Sequence, residues 1–131
     1  MNLKHNNKNL ELRIEGDCVD IFIEDSFVGS FDLNKDDYDE NDGGYIYLIP
    51  EAIDFQAHQR QGFYSKVIDT VLSYNFLQEL KSKVSENAKF SFKSVKRTEN
   101  ACNFWLKRGY GEEYDQDDHN NGDQEEIEIE L

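Results

Sequence analysis

Apolar and polar residues alternate at both ends of this chain. Leu10, Leu12 and Ile14 are separated by Glu11 and Arg13; Val19, Ile21 and Ile23 by Asp20 and Phe22; Ile127, Ile129 and Leu131 by Glu128 and Glu130. Successive side chains of a strand point to opposite faces, so each run presents one apolar face and one largely polar face. Strands of this kind need a sheet with one side against a core and the other toward water. Gly16-Asp17 is a turn between the first two runs, and Asp25-Ser26 leads tightly into a third strand, Phe27 to Leu33. The opening of the chain is therefore expected to be an antiparallel meander.

Tyr45 to Phe55 predicts a longer strand, with Tyr45, Tyr47 and Ile49 on one face. Pro50 has no N–H for a ladder bond, so it should mark a bulge or an edge. Ile53 and Phe55 take over the apolar face beyond it, which favours a bulge. The period then changes. Phe63, Val67, Ile68, Val71, Leu72 and Leu80 recur at three- and four-residue steps and predict a helix of about four turns, with a continuation through Phe76-Leu77. Phe90 and Phe92 alternate with Lys89, Ser91 and Lys93 as another strand. Thr98 is placed to cap a short helix with Ala101, Phe104 and Trp105 on one face, closed by Lys107, Arg108 and Gly109. Tyr110 to Tyr114 predicts a further strand, and Asp115 to Gln124 an acidic turn into the last one. A strand–helix–strand crossover between antiparallel wings makes a mixed sheet. The expected class is α+β, a mostly antiparallel twisted sheet of about six to seven strands with two principal helices. Met1 to Asn9 is polar and is expected to be a flexible N-terminus, with residues 10–131 forming a single domain.

Asp and Glu number 28 against 14 Lys and Arg, a formal net charge of −14. Such a surface repels nucleic-acid phosphates and anionic membranes and attracts basic partners. Asp36, Asp37, Asp39, Glu40 and Asp42 crowd the segment before Gly43-Gly44, but their order does not match the ligand spacing of a helix–loop–helix calcium site, and a solvated loop is expected. Cys18 and Cys102 have neither metal nor redox spacing, and three scattered histidines supply no zinc site. There is no Gly-x-Ser-x-Gly elbow. No apolar run opens the chain, so the expectation is a reduced, cytoplasmic protein without a signal peptide or transmembrane span.

Two segments carry chemistry beyond this frame. Gln59-Arg60-Gln61-Gly62-Phe63-Tyr64-Ser65 is a polar, glycine-bearing loop that runs into the main helix. Unpaired N–H donors and the positive end of a helix dipole converge on an anion at such a place. Beyond the next strand comes Thr98-Glu99-Asn100-Ala101-Cys102-Asn103-Phe104-Trp105-Leu106-Lys107-Arg108-Gly109-Tyr110. Together they resemble the paired signatures of the GNAT N-acetyltransferases. The first falls on that family's Gln/Arg-x-x-Gly-x-Gly/Ala loop. The second falls on its Asn-x-x-Ala-x-x-Leu-Tyr-x-Lys-x-Gly-Phe pattern, with Thr98 on the Asn, Ala101 on the Ala, Phe104 on the Leu, Trp105 on the Tyr, Lys107 on the Lys, and Gly109-Tyr110 on the Gly-Phe.

The resemblance spans Val19 to Leu131 in the order of elements. It implies a GNAT-like fold, acetyl-coenzyme A (acetyl-CoA) as cofactor, and transfer of acetyl to an amine of a small molecule or a protein lysine. The implied coenzyme-binding residues are Phe55, Gln56, Gln59, Arg60, Gln61, Gly62, Phe63, Tyr64, Ser65, Thr98 and Asn100, with Lys66 adding charge near the phosphates. Glu51 or Asp54, or His58 beside the loop, would neutralise the acceptor amine. Trp105 stands where many members carry the tyrosine that protonates the leaving thiolate. Three departures accompany these matches. Tyr64 replaces the second small residue of the loop. The indole of Trp105 is a donor without an accessible acidity. The helices usual between the family's first two strands have no room. These point to an alternative: a catalytically degenerate, acidic binding protein on a GNAT-like scaffold that engages a basic partner protein. Neither function involves direct contact with nucleic acid or membrane.

Overall fold

Period-two alternation does put Leu10, Leu12, Val19, Ile21, Ile23, Ile127 and Ile129 on a common buried side, but in the strand from Tyr45 the core takes Ile46 and Leu48, and the expected apolar face of Tyr45, Tyr47 and Ile49 lies opposite. The structure, a computed structural model, describes residues 1–55, 61–94, 99–111, 113 and 127–131. Its strands are β1 (Asn2–His5), β2 (Lys8–Glu15), β3 (Cys18–Ile23), β4 (Ser26–Asn34), β5 (Tyr38–Asp39), β6 (Gly43–Glu51), β7 (Ala88–Ser94) and β8 (Ile127–Glu130). The helices are α1 (Phe63–Val71) and α2 (Tyr74–Lys83), both between β6 and β7, and α3 (Glu99–Leu106) after β7. The strands form an 8-stranded sheet in the order β1-β2-β3-β4-β6-β7-β8, with the short β5 paired to the start of β6. Every pairing is antiparallel except that of β6 with β7. The class is thus mixed α+β with an open, mostly antiparallel sheet.

The core lies on one side of this sheet. Leu10, Leu12, Ile21, Phe31, Ile46, Leu48, Phe90 and Phe92 are buried there against Phe63, Val67 and Val71 of α1, Phe76 and Leu80 of α2, and Trp105 of α3. The opposite face carries the alternate residues, among them Arg13, Asp20, Asp32, Tyr45, Tyr47 and Lys89. Among the described residues the helices bury their apolar side chains against the first face; on the second, Ser91 is buried and Asp20, Asp32, Tyr45 and Tyr47 are half-buried.

Several details differ from the sequence-based expectation. The opening residues, expected to be flexible, form edge strand β1, in which Leu3 stands opposite Leu10 and packs on the core. Asn6 and Asn7 have φ of 53° and 61°, the left-handed pair that a tight two-residue hairpin turn needs and that asparagine tolerates. Together with the two-residue β5, this strand brings the sheet above the expected number.

The expected single helix is interrupted. Ser73 Oγ accepts from the Phe76 N–H at 3.3 Å and donates to the Thr70 carbonyl at 2.6 Å, capping α2 and ending the run of α1. Ser73→Ala is expected to cost about 1 kcal/mol of stability, read as a lower urea midpoint with an unchanged slope. Ser73→Asp, which keeps an acceptor, should recover most of it.

Pro50 makes no bulge with β4, where it pairs in register with Phe31. The register shift lies between Ile21 and Phe22 of β3 instead. Tyr110, Gly111 and Glu113 are not in a strand. Glu112, Tyr114 and the expected Asp115 to Gln124 turn lie outside the described residues.

Candidate functional site

Parallel strands that stop pairing leave a gap at their C-terminal ends, which is where open sheets with crossover helices receive ligands. Pairing of β6 with β7 runs from Gly44–Ala88 to Leu48–Phe92 and stops. β6 continues to Glu51 alongside β4, and β7 continues to Ser94 alongside β8. Pro50, beyond the last pair, has no N–H to send across the gap.

α1 starts beside this gap. Gly62 is its N-cap, at φ 73° in the left-handed region, and no side chain caps the helix. The N-terminal hairpin reaches this loop from the far side of the sequence. His5 Nε2 donates to the Gln61 carbonyl, Asn6 Nδ2 donates to the same oxygen at 3.4 Å, and the His5 ring meets Phe63 edge-on at 4.8 Å. A Cβ on Gly62 would stand 3.3 Å from His5 Nε2. His5 and Asn6 are thus part of the loop's support, although the glycine-loop motif contains neither.

An aromatic chain crosses from the end of β6 to α3. The Tyr64 ring lies 6.1 Å from that of Phe55 and 5.0 Å from that of Phe104. Phe104 is edge-on to Trp105 at 5.2 Å, and Trp105 in turn contacts Phe92 at 5.2 Å and Tyr110 at 6.4 Å. The Arg108 guanidinium sits 3.7 Å over Phe104 and donates to Asp69 Oδ1 at 3.0 Å, tying α3 to α1. Burial raises the pKa of the Tyr64 phenol, with nearby Arg108 pulling it partly back.

The residues singled out by sequence fall into separate groups. Phe55, Tyr64 and Trp105 are linked through Phe104 on the helical side. Gln61, Gly62 and Phe63 sit under His5, and Ser65 is half-buried in the first turn of α1. Asn100 is exposed at the start of α3. Glu51 shares its face with Tyr45, Tyr47 and Ile49, so it projects from the open side of the sheet, whereas Trp105 is buried on the other. Asp54 follows β6 with an exposed side chain, and its N–H donates to the Val28 carbonyl at 2.7 Å. Lys66 lines a shallow depression of about 240 Å³ with Met1, Leu3, Asp69, Thr70 and Ser73. Gln56, His58, Gln59, Arg60 and Thr98 lie outside the described residues.

The open face carries its own arrangement. Arg13 donates to Glu11 at 2.8 Å, lies 3.9 Å from Glu15, and stacks 4.3 Å over Phe22, which meets Phe27 edge-on. Tyr45 and Tyr47 stack at 5.9 Å, with Lys89 and Lys93 over their rings. Between these groups Cys18 has its thiol pKa pushed up, first by burial and then by Asp20, Asp32, Asp17 and Glu51. Glu128 and Asp37 likewise add to the effect of burial in raising the pKa of Tyr47.

Among the described residues no group of three or more His, Cys, Asp or Glu could hold a metal ion, and no helix is long and apolar enough to cross a membrane. Compared with protein-family models, curated proteins and solved structures, the chain matches none.

Proposed function

We propose that this protein is a non-catalytic, acidic binding protein on a GNAT-like scaffold, and that it engages a basic partner protein. The GNAT likeness rests on the parallel β6–β7 pair, the left-handed glycine before α1, and a helix after β7 that carries the second motif. The observation that carries the loss of catalysis is the ring of Tyr64, set between Phe55 and Phe104 beside the strand gap. Tyr64 is 38% exposed, and with its ring between those two it puts a bulky phenol where the family resemblance calls for a small residue of the coenzyme loop. The groups for proton transfer are separated as well. Trp105 is 1% exposed in the core, and Glu51 is on the other side of the sheet. What remains for recognition is charge, −14 over 131 residues, which favours a cationic protein over nucleic acid or an anionic membrane. A cytoplasmic setting fits the two free cysteines, one buried and one half-buried.

The test is a pair of titrations on the intact protein. An octa-arginine peptide should bind at low salt and lose at least about tenfold in affinity at high salt, because exposed charges are screened beyond about 10 Å at 0.1 M ionic strength. Acetyl-CoA should give neither heat nor a thermal shift. Saturable coenzyme binding would overturn this function in favour of an acetyltransferase, and failure of the peptide to bind at low salt would remove the basic partner.

A further inference from the structure

We infer that the outer edge of β1, together with the trough between it and α1, receives an extended segment of a partner protein as an added strand, and that this segment carries an acidic side chain for Lys66. The inference goes beyond the acidic-binder function and does not depend on it.

β1 ends the sheet on its side. Met1 N donates to the Leu12 carbonyl at 2.8 Å, and Leu12 N donates to the Met1 carbonyl at 3.0 Å. Residue pairs of an antiparallel ladder alternate between bonded and non-bonded. Leu3–Leu10 and His5–Lys8 are therefore the next bonded pairs. Asn2 and Lys4, opposite Glu11 and Asn9, turn their N–H and C=O groups away from β2. Both residues are exposed, and among the described residues nothing bonds to those outward groups. Two donors and two acceptors in a row are the template that an added strand pairs with. The far end of β1 is already fixed, because His5 and Asn6 both donate to the Gln61 carbonyl. An edge held in place loses little freedom on binding.

The trough supplies a place for a side chain. Lys66, Asp69, Thr70 and Ser73 follow at three- and four-residue steps, so α1 and its end turn one polar stripe toward Met1 and Leu3 across the depression of about 240 Å³. A residue added opposite Leu3 points its side chain to the same side as Leu3, into this depression. Most of the stripe is already engaged. Thr70 Oγ1 donates to the Lys66 carbonyl at 2.7 Å, Ser73 Oγ caps α2, and Asp69 accepts from Arg108 at 3.0 Å. The half-buried Lys66 ammonium has no partner among the described residues. Glutamate is the complementary residue, with its stem along Leu3 and its carboxylate on the ammonium. A second copy of this chain fits less well. Asn2–His5 contains no carboxylate for Lys66, and pairing two copies brings together two chains of net charge −14.

The probe is the peptide acetyl-Thr-Val-Thr-Glu-Thr-Val-Thr-amide, titrated into the intact protein with backbone amide shifts as readout. The Asn2 and Lys4 amides should shift saturably and gain hydrogen-exchange protection. The same peptide with lysine in place of glutamate should bind about tenfold more weakly. Lys66→Glu should reverse that order. Lys4→Pro removes an outward N–H that β2 does not use, a change an edge strand tolerates, and should weaken binding about fivefold or more with the circular dichroism spectrum unchanged. If that variant unfolds, Lys66→Glu and the amide shifts still decide. No saturable shift at Asn2 and Lys4, or full affinity in a folded Lys4→Pro protein, would overturn strand addition. Equal affinity for the two peptides, or an order unchanged by Lys66→Glu, would overturn the acidic preference. A dimer seen by sedimentation without peptide and abolished by Lys4→Pro would give the edge to a second copy and overturn the partner segment. None of these outcomes bears on the octa-arginine titration, so the acidic-binder function stands or falls separately.

Discussion

Replacing Trp105 by alanine is expected to destabilise the fold by about 3–5 kcal/mol, the range for truncating a large buried aromatic. The indole is 1% exposed and touches Phe92 of the sheet, Phe104 of its own helix and Tyr110 beyond it. It also holds more than its own area. α3 is 8 residues long, too short to persist as a helix in isolation, and its buried side chains are Cys102 and Trp105. Losing the indole should therefore release α3 as well as leave a cavity, and a domain of this size has only about 5–15 kcal/mol of total stability. Urea denaturation followed by circular dichroism is the suitable measurement, because the chain has a single tryptophan and the variant has no indole fluorescence. Trp105→Phe should retain well over half of the lost stability. An alanine variant with an unchanged midpoint would mean that α3 does not depend on this residue. The position that the family resemblance assigns to a proton donor is thus expected to show itself in stability.

The faces of β2, β3 and β8 were legible because a period of two depends only on local sequence, whereas in β6 both alternating sets are apolar or aromatic and the core took Ile46 and Leu48 in place of the expected Tyr45, Tyr47 and Ile49. Leu10, Leu12, Ile21 and Ile129 are buried where alternation places them. Strand β1 was not legible, because its residues, Asn-Leu-Lys-His, offer a single apolar side chain and no period. Its state comes from pairing with β2, and the local sign of it was the Asn6-Asn7 turn. The break between α1 and α2 escaped for the opposite reason. Leu72, Phe76 and Leu80 keep four-residue steps across Ser73, so the hydrophobic pattern continues where the backbone does not. The bulge was expected at Pro50 from a change in apolar spacing. That spacing changes because Ile53 leaves β6 to pack against β4 at Gly29, where an added Cβ would come within 2.6 Å of the Ile53 Cα.

At the candidate site, Gly62 could be recognised from sequence as a backbone position of special geometry. The support it receives from His5 spans 56 residues between His5 and Gln61 and leaves no local trace. The direction of the Tyr64 ring was equally hidden, since a rotamer between Phe55 and Phe104 depends on tertiary packing.

Gly44→Ala is expected to cost about 3 kcal/mol or more, through backbone strain and a clash that no side-chain rotation relieves. Gly44 has φ 118°, and a Cβ there would fall well inside contact distance of the Asp37 carbonyl oxygen. The same residue pairs with Tyr38 of β5 on one side and Ala88 of β7 on the other, so the chain cannot shift away without disturbing both. The Tyr45 N–H, bonded to Asp37 O at 3.2 Å, should lose hydrogen-exchange protection first. Gly16→Ala is the matched control, since its φ is also positive, at 58°, but nothing lies within 4 Å of an added Cβ. That variant should lose only about 1 kcal/mol. Equal destabilisation by the two glycine variants would remove the close approach to Asp37 as the cause.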